Sequence, residues 1–204
     1  MWIHPKTIQP PNQNTLFKWQ YGIVGEGLVS GGAYRTTEFC SAYTLPPCNH
    51  YDTKNESSLP SCESGPPAHT PSCPTKCDND TTSTIPFNQD RHPFSKAYAV
   101  PASELAIMTE IYTHGPVTAG FNVYSDWIHY PVGTGSNQVY RPQGGTEMGG
   151  HAIRIIGWNV SKDNVKYWIV ANSFGSKWGI NGYFYIQKGI GAAGIEESVV
   201  AGVV

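Results

Sequence analysis

Three stretches, HAIRIIGW (151–158), KYWIVANS (166–173) and GYFYIQ (182–187), decide the fold class of this chain. They are short and rich in β-branched and aromatic residues, and glycine-bearing turns separate them, which is typical of neighbouring strands in a sheet. Two flanking stretches, VTAGFNVY (117–124) and SVVAGVV (198–204), have the same character. The sequence therefore predicts an antiparallel, barrel-like sheet in the C-terminal half of the chain.

One helix is expected before this sheet. In SELAIMTEIYTH (103–114), Ser103 is suited to the N-cap position and Gly115-Pro116 ends the helix. Its apolar face is predicted to consist of Leu105, Met108, Ile111 and Tyr112. A sheet with one packed helix places the chain in the α+β class.

The composition excludes several classes of function. The 204 residues carry a net charge of −2, which favours neither a nucleic acid nor a membrane surface as partner. No apolar run approaches the roughly 18–20 residues that span a bilayer. No cofactor is expected. Glycine (22) and proline (16) are plentiful, as in turn-rich folds.

The cysteines indicate an oxidising compartment. All five lie within the proline-rich, loop-like residues 39–94, which is typical of a disulfide framework. Three N-x-S/T sequons, at Asn55, Asn79 and Asn159, agree with this interpretation. However, the first residues do not have the charged start and apolar core of a signal peptide, and an odd cysteine count leaves one without an internal partner. Both observations are expected if residues upstream of this chain are missing.

Three further motifs occur in a fixed order. They are Met148-Gly149-Gly150-His151-Ala152-Ile153-Arg154-Ile155, Tyr167-Trp168-Ile169-Val170-Ala171-Asn172-Ser173-Phe174-Gly175, and Trp178-Gly179 followed by Asn181-Gly182-Tyr183-Phe184. Singly, a histidine in a strand or an asparagine in a turn is usually structural. Jointly, the motifs resemble the histidine and asparagine motifs of papain-like cysteine proteases, whose catalytic group is Cys-His-Asn.

The resemblance assigns chemical roles. A thiol near its usual pKa of about 8.5 is a weak nucleophile until an imidazole takes its proton. His151 is implied as that general acid/base, and Asn172 as the residue that orients it without adding charge. Phe174, which replaces a tryptophan of the family, is expected to cover the His–Asn hydrogen bond. Trp178 is expected to shape the leaving-group side of the substrate site.

Other segments narrow the resemblance to cathepsin B. They are Gly27–Gly32, Tyr43–Cys48, Val123–Asp126, Val199–Gly202 and the cysteine-rich insertion, which is similar to an occluding loop. The resemblance implies the disulfides Cys40–Cys77 and Cys48–Cys62, and leaves Cys73 to pair with a cysteine outside this chain. A zinc site of His50, His69, Cys73 and Cys77 is the alternative interpretation, although the spacing is not a common zinc pattern.

The resemblance covers about residues 18–204 and divides the chain. It implies an unmatched segment (1–17), a remnant of the helical left lobe (18–38), the occluding-type loop (39–94) and a β-rich right lobe (95–204) that carries both catalytic residues. Most of the helical lobe is expected to be absent. The implied partners are peptide or protein substrates and protein inhibitors of cysteine proteases, and the implied location is lysosomal or secreted.

The sequence departs from the family at three places. No C-G-S-C-W element with the nucleophile is present, so the chain alone is expected to be inactive. In Cys48-Asn49-His50-Tyr51, His50 matches the first of two carboxylate-binding histidines, and Tyr51 replaces the second. The resemblance places Gly120, Gly150, Ala152 and Ser198 in the main specificity pocket. Ser198 stands where the family has an acidic residue, and Glu197 lies one step earlier, so arginine should be accepted less well than apolar side chains.

Overall fold

The computed structural model describes residues 27–49, 59–62, 75–78, 85–128, 130, 138–176 and 178–203. These residues fall into two compact units, one that extends to Ala97 and one that runs from Tyr98 to Val203. His50, Tyr51 and Cys73, for which the sequence predicted roles, lie outside the described residues. The predicted unmatched segment 1–17 also lies outside them.

A seven-stranded sheet forms most of the second unit. Its strands are β3 (Lys96–Ala99), β4 (Val117–Tyr124), β5 (Val139–Tyr140), β6 (Glu147–Val160), β7 (Lys166–Ala171), β8 (Tyr183–Gln187) and β9 (Ser198–Val203), in the spatial order β3-β9-β4-β6-β7-β8-β5. Strands β4, β6, β7, β8 and β9 pair antiparallel with their neighbours in this set, as the sequence predicted. The two-residue strand β5 pairs parallel with β8, which the sequence did not predict.

Alternation along the strands forms the core. One face of β6, β7 and β8 carries Ile153, Ile155, Trp168, Val170, Phe184 and Ile186, all of which are buried. Phe121 on β4 and Trp127 join this core and are fully buried. Burial of this apolar surface is the main source of the stability of the sheet.

Helix α1 (Glu104–His114) begins and ends where the sequence predicted. Ser103 Oγ accepts a hydrogen bond from the Ala106 N–H at 3.1 Å, and the Gly115 N–H donates to the Ile111 carbonyl. Gly115 has a φ of +102°, a conformation that glycine adopts without strain.

The predicted apolar face of α1 was partly wrong. Ile107 and Ile111 are its buried residues, whereas Leu105 and Tyr112 are 74% and 86% exposed. The apolar side chains form one broad stripe, with Ile107 and Ile111 at one edge and Leu105 and Tyr112 at the other, so the i, i+3, i+4 pattern fits two overlapping faces. Packing against the sheet selects the face of Ile107 and Ile111.

A second helix, α2 (Ser125–Ile128), was not predicted. It has only four residues and follows β4 directly, and it buries Trp127. A 3-10 turn (Ala192–Gly194) precedes β9. Among the described residues, no helix is long and apolar enough to cross a membrane.

The first unit has little regular structure. Its strands β1 (Gly31–Gly32) and β2 (Ser41–Ala42) pair parallel over two residues. Two disulfides, Cys40–Cys77 and Cys48–Cys62, crosslink this unit. They join the same cysteines that the family resemblance implied. Because Cys77 is bonded to Cys40, its thiolate is not available to the alternative zinc site.

The carboxylate of Asp90 organises the same unit. It is buried, and its Oδ2 atom accepts hydrogen bonds from the backbone N–H and the hydroxyl of Ser30 at 2.9 and 2.7 Å. The Ser30 hydroxyl bond is the largest cause that holds the pKa of Asp90 below its usual value. Asp90 therefore fixes the chain before β1 through charge-assisted hydrogen bonds.

Candidate functional site

His151 lies within β6, directly opposite Phe121 of β4. It is 4% exposed, so its imidazole is removed from bulk water. Just before it, the register between the two strands shifts, because Val123 pairs with Gly149 whereas Tyr124 pairs with Glu147. Met148 is the extra residue of this bulge, and Gly149 has a φ of +121°. The bulge and the glycine thus determine the direction of the backbone that leads to His151.

Asn172 follows the last residue of β7. Its backbone N–H donates to the Gly182 carbonyl at 3.0 Å, which ties it to the turn before β8. Gly182 and Gly179 both have positive φ angles, and a Cβ at Gly179 would lie 2.4 Å from the Tyr183 carbonyl oxygen. The glycines that the sequence placed around Trp178 are therefore required by the tight turn that holds Asn172.

The side chains of His151 and Asn172 meet. The distance between His151 Nε2 and Asn172 Oδ1 is 2.9 Å, and the Ser173 backbone N–H donates to the same oxygen at 2.8 Å. An N–H donor at that position requires the carbonyl oxygen, not the amide nitrogen, so the orientation of the amide is fixed. Since an amide oxygen only accepts, His151 Nε2 carries the proton.

This hydrogen bond decides which imidazole nitrogen is the base. With the proton on Nε2, the neutral ring has its lone pair on Nδ1. No residue in the described part of the chain makes a hydrogen bond to Nδ1. The arrangement can therefore accept a proton at Nδ1 while Asn172 holds the ring in place.

Burial sets the electrostatics of the site. Desolvation lowers the pKa of His151 below its usual value, and the hydrogen bond with Asn172 partly opposes this effect. The neutral, proton-accepting form of the imidazole is thus favoured. Within the described ranges, no group of three or more acidic, histidine or cysteine side chains is placed to bind a metal ion.

An aromatic shell surrounds the pair. The Phe174 ring stacks on the His151 ring with a centroid distance of 5.2 Å and an interplanar angle of 24°. Phe174 therefore covers one face of the imidazole, and the expectation that it also covers the His–Asn hydrogen bond stays a prediction. Trp178 packs edge-on against Phe174 at 5.5 Å. It is buried, so it contributes to the shell behind Phe174.

Sequence reasoning missed Trp127 and Phe121. The Trp127 ring lies 6.0 Å from the His151 ring and 5.8 Å from the Phe174 ring, and the Phe121 ring lies 5.9 Å from His151. Nothing in SDWI distinguishes Trp127 from an ordinary core tryptophan. Phe121 had a usable signal, because its position in the alternating strand VTAGFNVY places it on the buried face.

The predicted specificity residues form a second cluster. Gly120 of β4 pairs directly with Ala152 of β6 on one side and with Ser198 of β9 on the other. Directly paired residues share one face of a sheet, and Gly150 lies two residues before Ala152 on that face. The sheet therefore brings together all four residues: Gly120, Gly150, Ala152 and Ser198.

Glu197 does not belong to this cluster. It lies in the turn before β9, its N–H donates to the Gly194 carbonyl at 3.0 Å, and its side chain is exposed. Ser198 is half-buried and begins β9. The acidic side chain next to the cluster is thus held outside the paired strands.

A shallow hollow of about 260 Å³ lies on another part of the sheet. It is lined by Ile156, Ile169, Ile180, Asn181, Tyr183 and Tyr185. None of the predicted site residues lines it. It is therefore a separate surface feature.

Comparison with known proteins identifies the family. The model of the papain family cysteine proteases matches residues 16–203. Cathepsin B-like cysteine proteinase 5 of Caenorhabditis elegans is 41% identical over 188 residues, which are 92% of this chain and 51% of that protein. Cathepsin B-like cysteine proteinase 4 of the same organism is 42% identical over 186 residues, with coverage of 91% and 52%. The chain thus spans about half the length of the curated relatives it matches.

A solved structure agrees with this result. Procathepsin B S9 from Trypanosoma congolense superposes with a TM-score of 0.55 and 30% sequence identity, over 70% of this chain and 46% of that chain. The expected papain-like, α+β fold with a mostly antiparallel sheet is therefore confirmed. The chain belongs to the papain family of cysteine proteases, and within it resembles the cathepsin B-like proteinases.

Proposed function

We propose that this chain supplies the histidine-bearing part of a cathepsin B-like cysteine peptidase, with His151 as general acid/base and Asn172 as its orienting residue. The observation that supports this most directly is the 2.9 Å contact between His151 Nε2 and Asn172 Oδ1, which leaves the Nδ1 lone pair to accept a proton. The nucleophile comes from a cysteine that these 204 residues do not supply. The oxyanion-hole glutamine of the family is proposed to come from the same part of the protein as that cysteine.

The reaction follows from these roles. Nδ1 takes the thiol proton, and the thiolate attacks the carbonyl carbon of the scissile peptide bond. The imidazolium then gives that proton to the leaving amine as the carbon–nitrogen bond breaks, which leaves a thioester acyl-enzyme. Water, deprotonated by the same nitrogen, hydrolyses the thioester and regenerates the thiol. Phe174 stacks on the imidazole and shields that face of the ring from water, which favours the hydrogen bond between Nε2 and Asn172.

The proposed substrates are peptides and proteins with an apolar side chain for the pocket of Gly120, Gly150, Ala152 and Ser198. None of these side chains is charged, and Glu197 is exposed in a turn. His50 and Tyr51 lie outside the described residues. Their sequence supports a carboxylate contact from His50 alone. The full-length protein should therefore release C-terminal dipeptides poorly and act relatively more as an endopeptidase.

The domain organisation, the location and the partners of the protein are proposed as well. The segments 18–38, 39–94 and 95–204 are proposed to be a left-lobe remnant, an occluding-type loop and the right lobe. The disulfides Cys40–Cys77 and Cys48–Cys62 support a lysosomal or secreted location. Protein inhibitors of cysteine proteases are proposed as partners that compete for the cleft.

The test compares the isolated chain with the protein purified from its source. The isolated chain should not cleave a fluorogenic dipeptide substrate. The native protein should cleave it, and a thiol alkylator should block cleavage. A His151→Ala variant of the full-length protein should lose activity by about 10⁶, as nucleophile–base units do when one member is removed. Alkylator-sensitive cleavage by the purified isolated chain, or full activity of the His151→Ala variant, would refute the proposal.

A second candidate is a non-catalytic, protease-like binding protein, or a truncated gene product. The observation that favours it is the state of the cysteines, since four of the five form disulfides and no C-G-S-C-W element occurs in the chain. The intact mass of the native protein, with its N-terminal peptides mapped under non-reducing conditions, separates the two candidates. A mass well above 22.3 kDa with an upstream reactive cysteine supports the peptidase, and a native start at or near Met1 supports the binding protein.

A further inference from the structure

The sequon Asn159-Val160-Ser161 lies at the end of β6, and its surroundings are open. Asn159 and Val160 are exposed, and so are the residues 162–164 of the turn that leads to β7. The other two sequons, at Asn55 and Asn79, lie outside the described residues. Asn159 is therefore the sequon whose setting the structure defines.

The exposed side chain of Asn159 uses its oxygen, and not its amide nitrogen, in a local hydrogen bond. Its Oδ1 atom accepts the Val160 N–H at 2.8 Å, and no group among the described residues bonds to Nδ2. The hairpin is fixed beneath it, because the Ser161 N–H donates to the Val165 carbonyl at 2.8 Å and the Val165 N–H donates to Ser161 Oγ at 3.1 Å. The turn is therefore held by its own hydrogen bonds, and Asn159 stays exposed beside it.

The neighbouring strands supply an aromatic surface on the same face. Asn159 pairs directly with Tyr167 of β7, so their side chains stand side by side on the outer face of the sheet. The Tyr167 and Tyr185 rings lie 4.6 Å apart. Beyond Tyr185 the same face continues into the hollow that includes Ile169. This face is opposite the buried face of Trp168 and Val170. The side chains of Tyr167, Ile169 and Tyr185 make this part of it apolar and uncharged.

We propose that Asn159 carries an N-linked glycan and that the first sugar of this glycan packs against the Tyr167–Tyr185 pair. The C–H face of an N-acetylglucosamine ring is apolar and matches a tyrosine ring in size, so contact between them removes apolar surface from water on both sides. The disulfides of the first unit fit the oxidising secretory compartment, where such glycans are attached. The inference does not depend on peptidase activity.

The attachment step uses a lipid-linked oligosaccharide as donor. Asn159 Nδ2 forms a bond to C1 of the first sugar, and the bond between C1 and the diphosphate oxygen breaks. The lipid diphosphate leaves with the bonding electrons, and the amide loses one proton to a base of the transferring enzyme. Ser161 completes the acceptor sequence that this enzyme reads.

Occupancy is tested on the full-length protein secreted from eukaryotic cells. Removal of N-glycans by an amidase in ¹⁸O water should convert Asn159 to ¹⁸O-labelled aspartate in its tryptic peptide. The variants Asn159→Gln and Ser161→Ala should each lose one glycan from the intact mass, whereas Ser161→Thr should keep it. An unlabelled Asn159 peptide from the secreted wild-type protein would overturn the proposal.

The contact with the tyrosines has its own test. The thermal midpoint is measured before and after glycan removal in the wild type and in the variants Tyr167→Phe and Tyr167→Ala. The glycan should raise the midpoint by about 2–4 °C in the wild type and in Tyr167→Phe, since both keep the ring. It should raise it much less in Tyr167→Ala. Equal shifts in the three proteins would show that the glycan does not pack on Tyr167.

Discussion

The Nε2 atom of His151 and the Oδ1 atom of Asn172 lie 2.9 Å apart, on chain segments that the antiparallel pairing of β6 and β7 brings together. If Asn172 orients the imidazole, Asn172→Ala in the full-length protein should lower kcat by about 10²-fold, because a base displaced by about 1 Å loses about that much rate. Steady-state kinetics with a peptide substrate measure this effect.

Asn164→Gly is a matched control for the loss of an asparagine. Asn164 is exposed in the β6–β7 turn with a φ of +61°, which glycine adopts readily, so its replacement should leave kcat unchanged. An Asn172→Ala enzyme that is as active as Asn164→Gly would show that Asn172 has no orienting role.

The buried imidazole also predicts a pH dependence of stability. Burial lowers the pKa of His151 below 6.5 in the folded protein, while the unfolded chain keeps a value near 6.5. The unfolded state therefore binds more protons as the pH falls below about 6.5, and the free energy of unfolding should decrease by up to about 1.4 kcal/mol per pH unit. Denaturant unfolding between pH 7.5 and 5.5 measures this slope, and His151→Gln should reduce it. Identical slopes for the two proteins would contradict the lowered pKa.

Glu104 and Lys188 form an ion pair that connects α1 to the end of β8. The Lys188 side chain is 3% exposed, its Nζ atom donates to Glu104 Oε1, and it also contacts Met108 Sδ at 3.2 Å. Glu104→Ala should therefore destabilise the fold by about 3 kcal/mol, because it leaves a buried ammonium without its carboxylate. Lys188→Met should cost less, since Glu104 keeps Lys166 at 3.3 Å.

Chemical denaturation of both variants, of their double mutant and of Glu147→Ala tests this pair. Glu147 is exposed, so its replacement should change the free energy of unfolding by less than about 0.5 kcal/mol. The double mutant should be more stable than Glu104→Ala alone. If the double mutant lost as much free energy of unfolding as the two single variants together, the two side chains would not interact.

The two disulfides should differ in their effect on stability. Cys40–Cys77 closes a loop with a sequence separation of 37 residues, and Cys48–Cys62 one of 14 residues. Loop-closure entropy predicts losses of about 4 and about 3 kcal/mol when each pair is replaced by alanines. Unfolding of the two double-alanine variants measures the difference. A larger loss for the Cys48–Cys62 pair would contradict the entropic account.

The specificity cluster predicts a substrate preference. Ser198→Glu in the full-length protein should raise kcat/KM for a substrate with arginine in the pocket, relative to one with leucine, by about tenfold, or about 1.4 kcal/mol. Ser198 begins the strand that pairs with Gly120, so a carboxylate there would lie beside the cluster. Glu197→Gln should leave the ratio nearly unchanged. If Glu197→Gln lowered the arginine-to-leucine ratio and Ser198→Glu left it unchanged, Glu197, and not residue 198, would face the pocket.

Much of the sheet and of the candidate site could be predicted from the sequence. The strands around His151 and Asn172 were recognised because β-branched and aromatic residues alternate between glycine turns, and the cap at Ser103 because its hydroxyl suits an N-cap. The pair of His151 and Asn172 was recognised by motif order. A hydrogen bond between the two side chains was expected, because an imidazole base needs its second nitrogen held in place.

Other features depend on packing that local sequence does not encode. Leu105 and Tyr112 were predicted to face the core, but the sheet selects Ile107 instead. The bulge at Met148 and the parallel pair of β5 and β8 arise from the register between strands, which no single strand specifies. Trp127 reaches His151 only because the short α2 follows β4 directly.

The central claim is that Nδ1 of His151 is the base for a cysteine thiol, and the pH dependence of alkylation tests it most directly. The rate at which iodoacetamide modifies the reactive cysteine of the full-length protein is measured from pH 4 to 9, for the wild type and for His151→Ala. The wild-type thiol should react well below its usual pKa of about 8.5, and the variant should show that usual value. A reactive thiol with the same profile in both proteins, or no reactive thiol in the native protein, would contradict the claim.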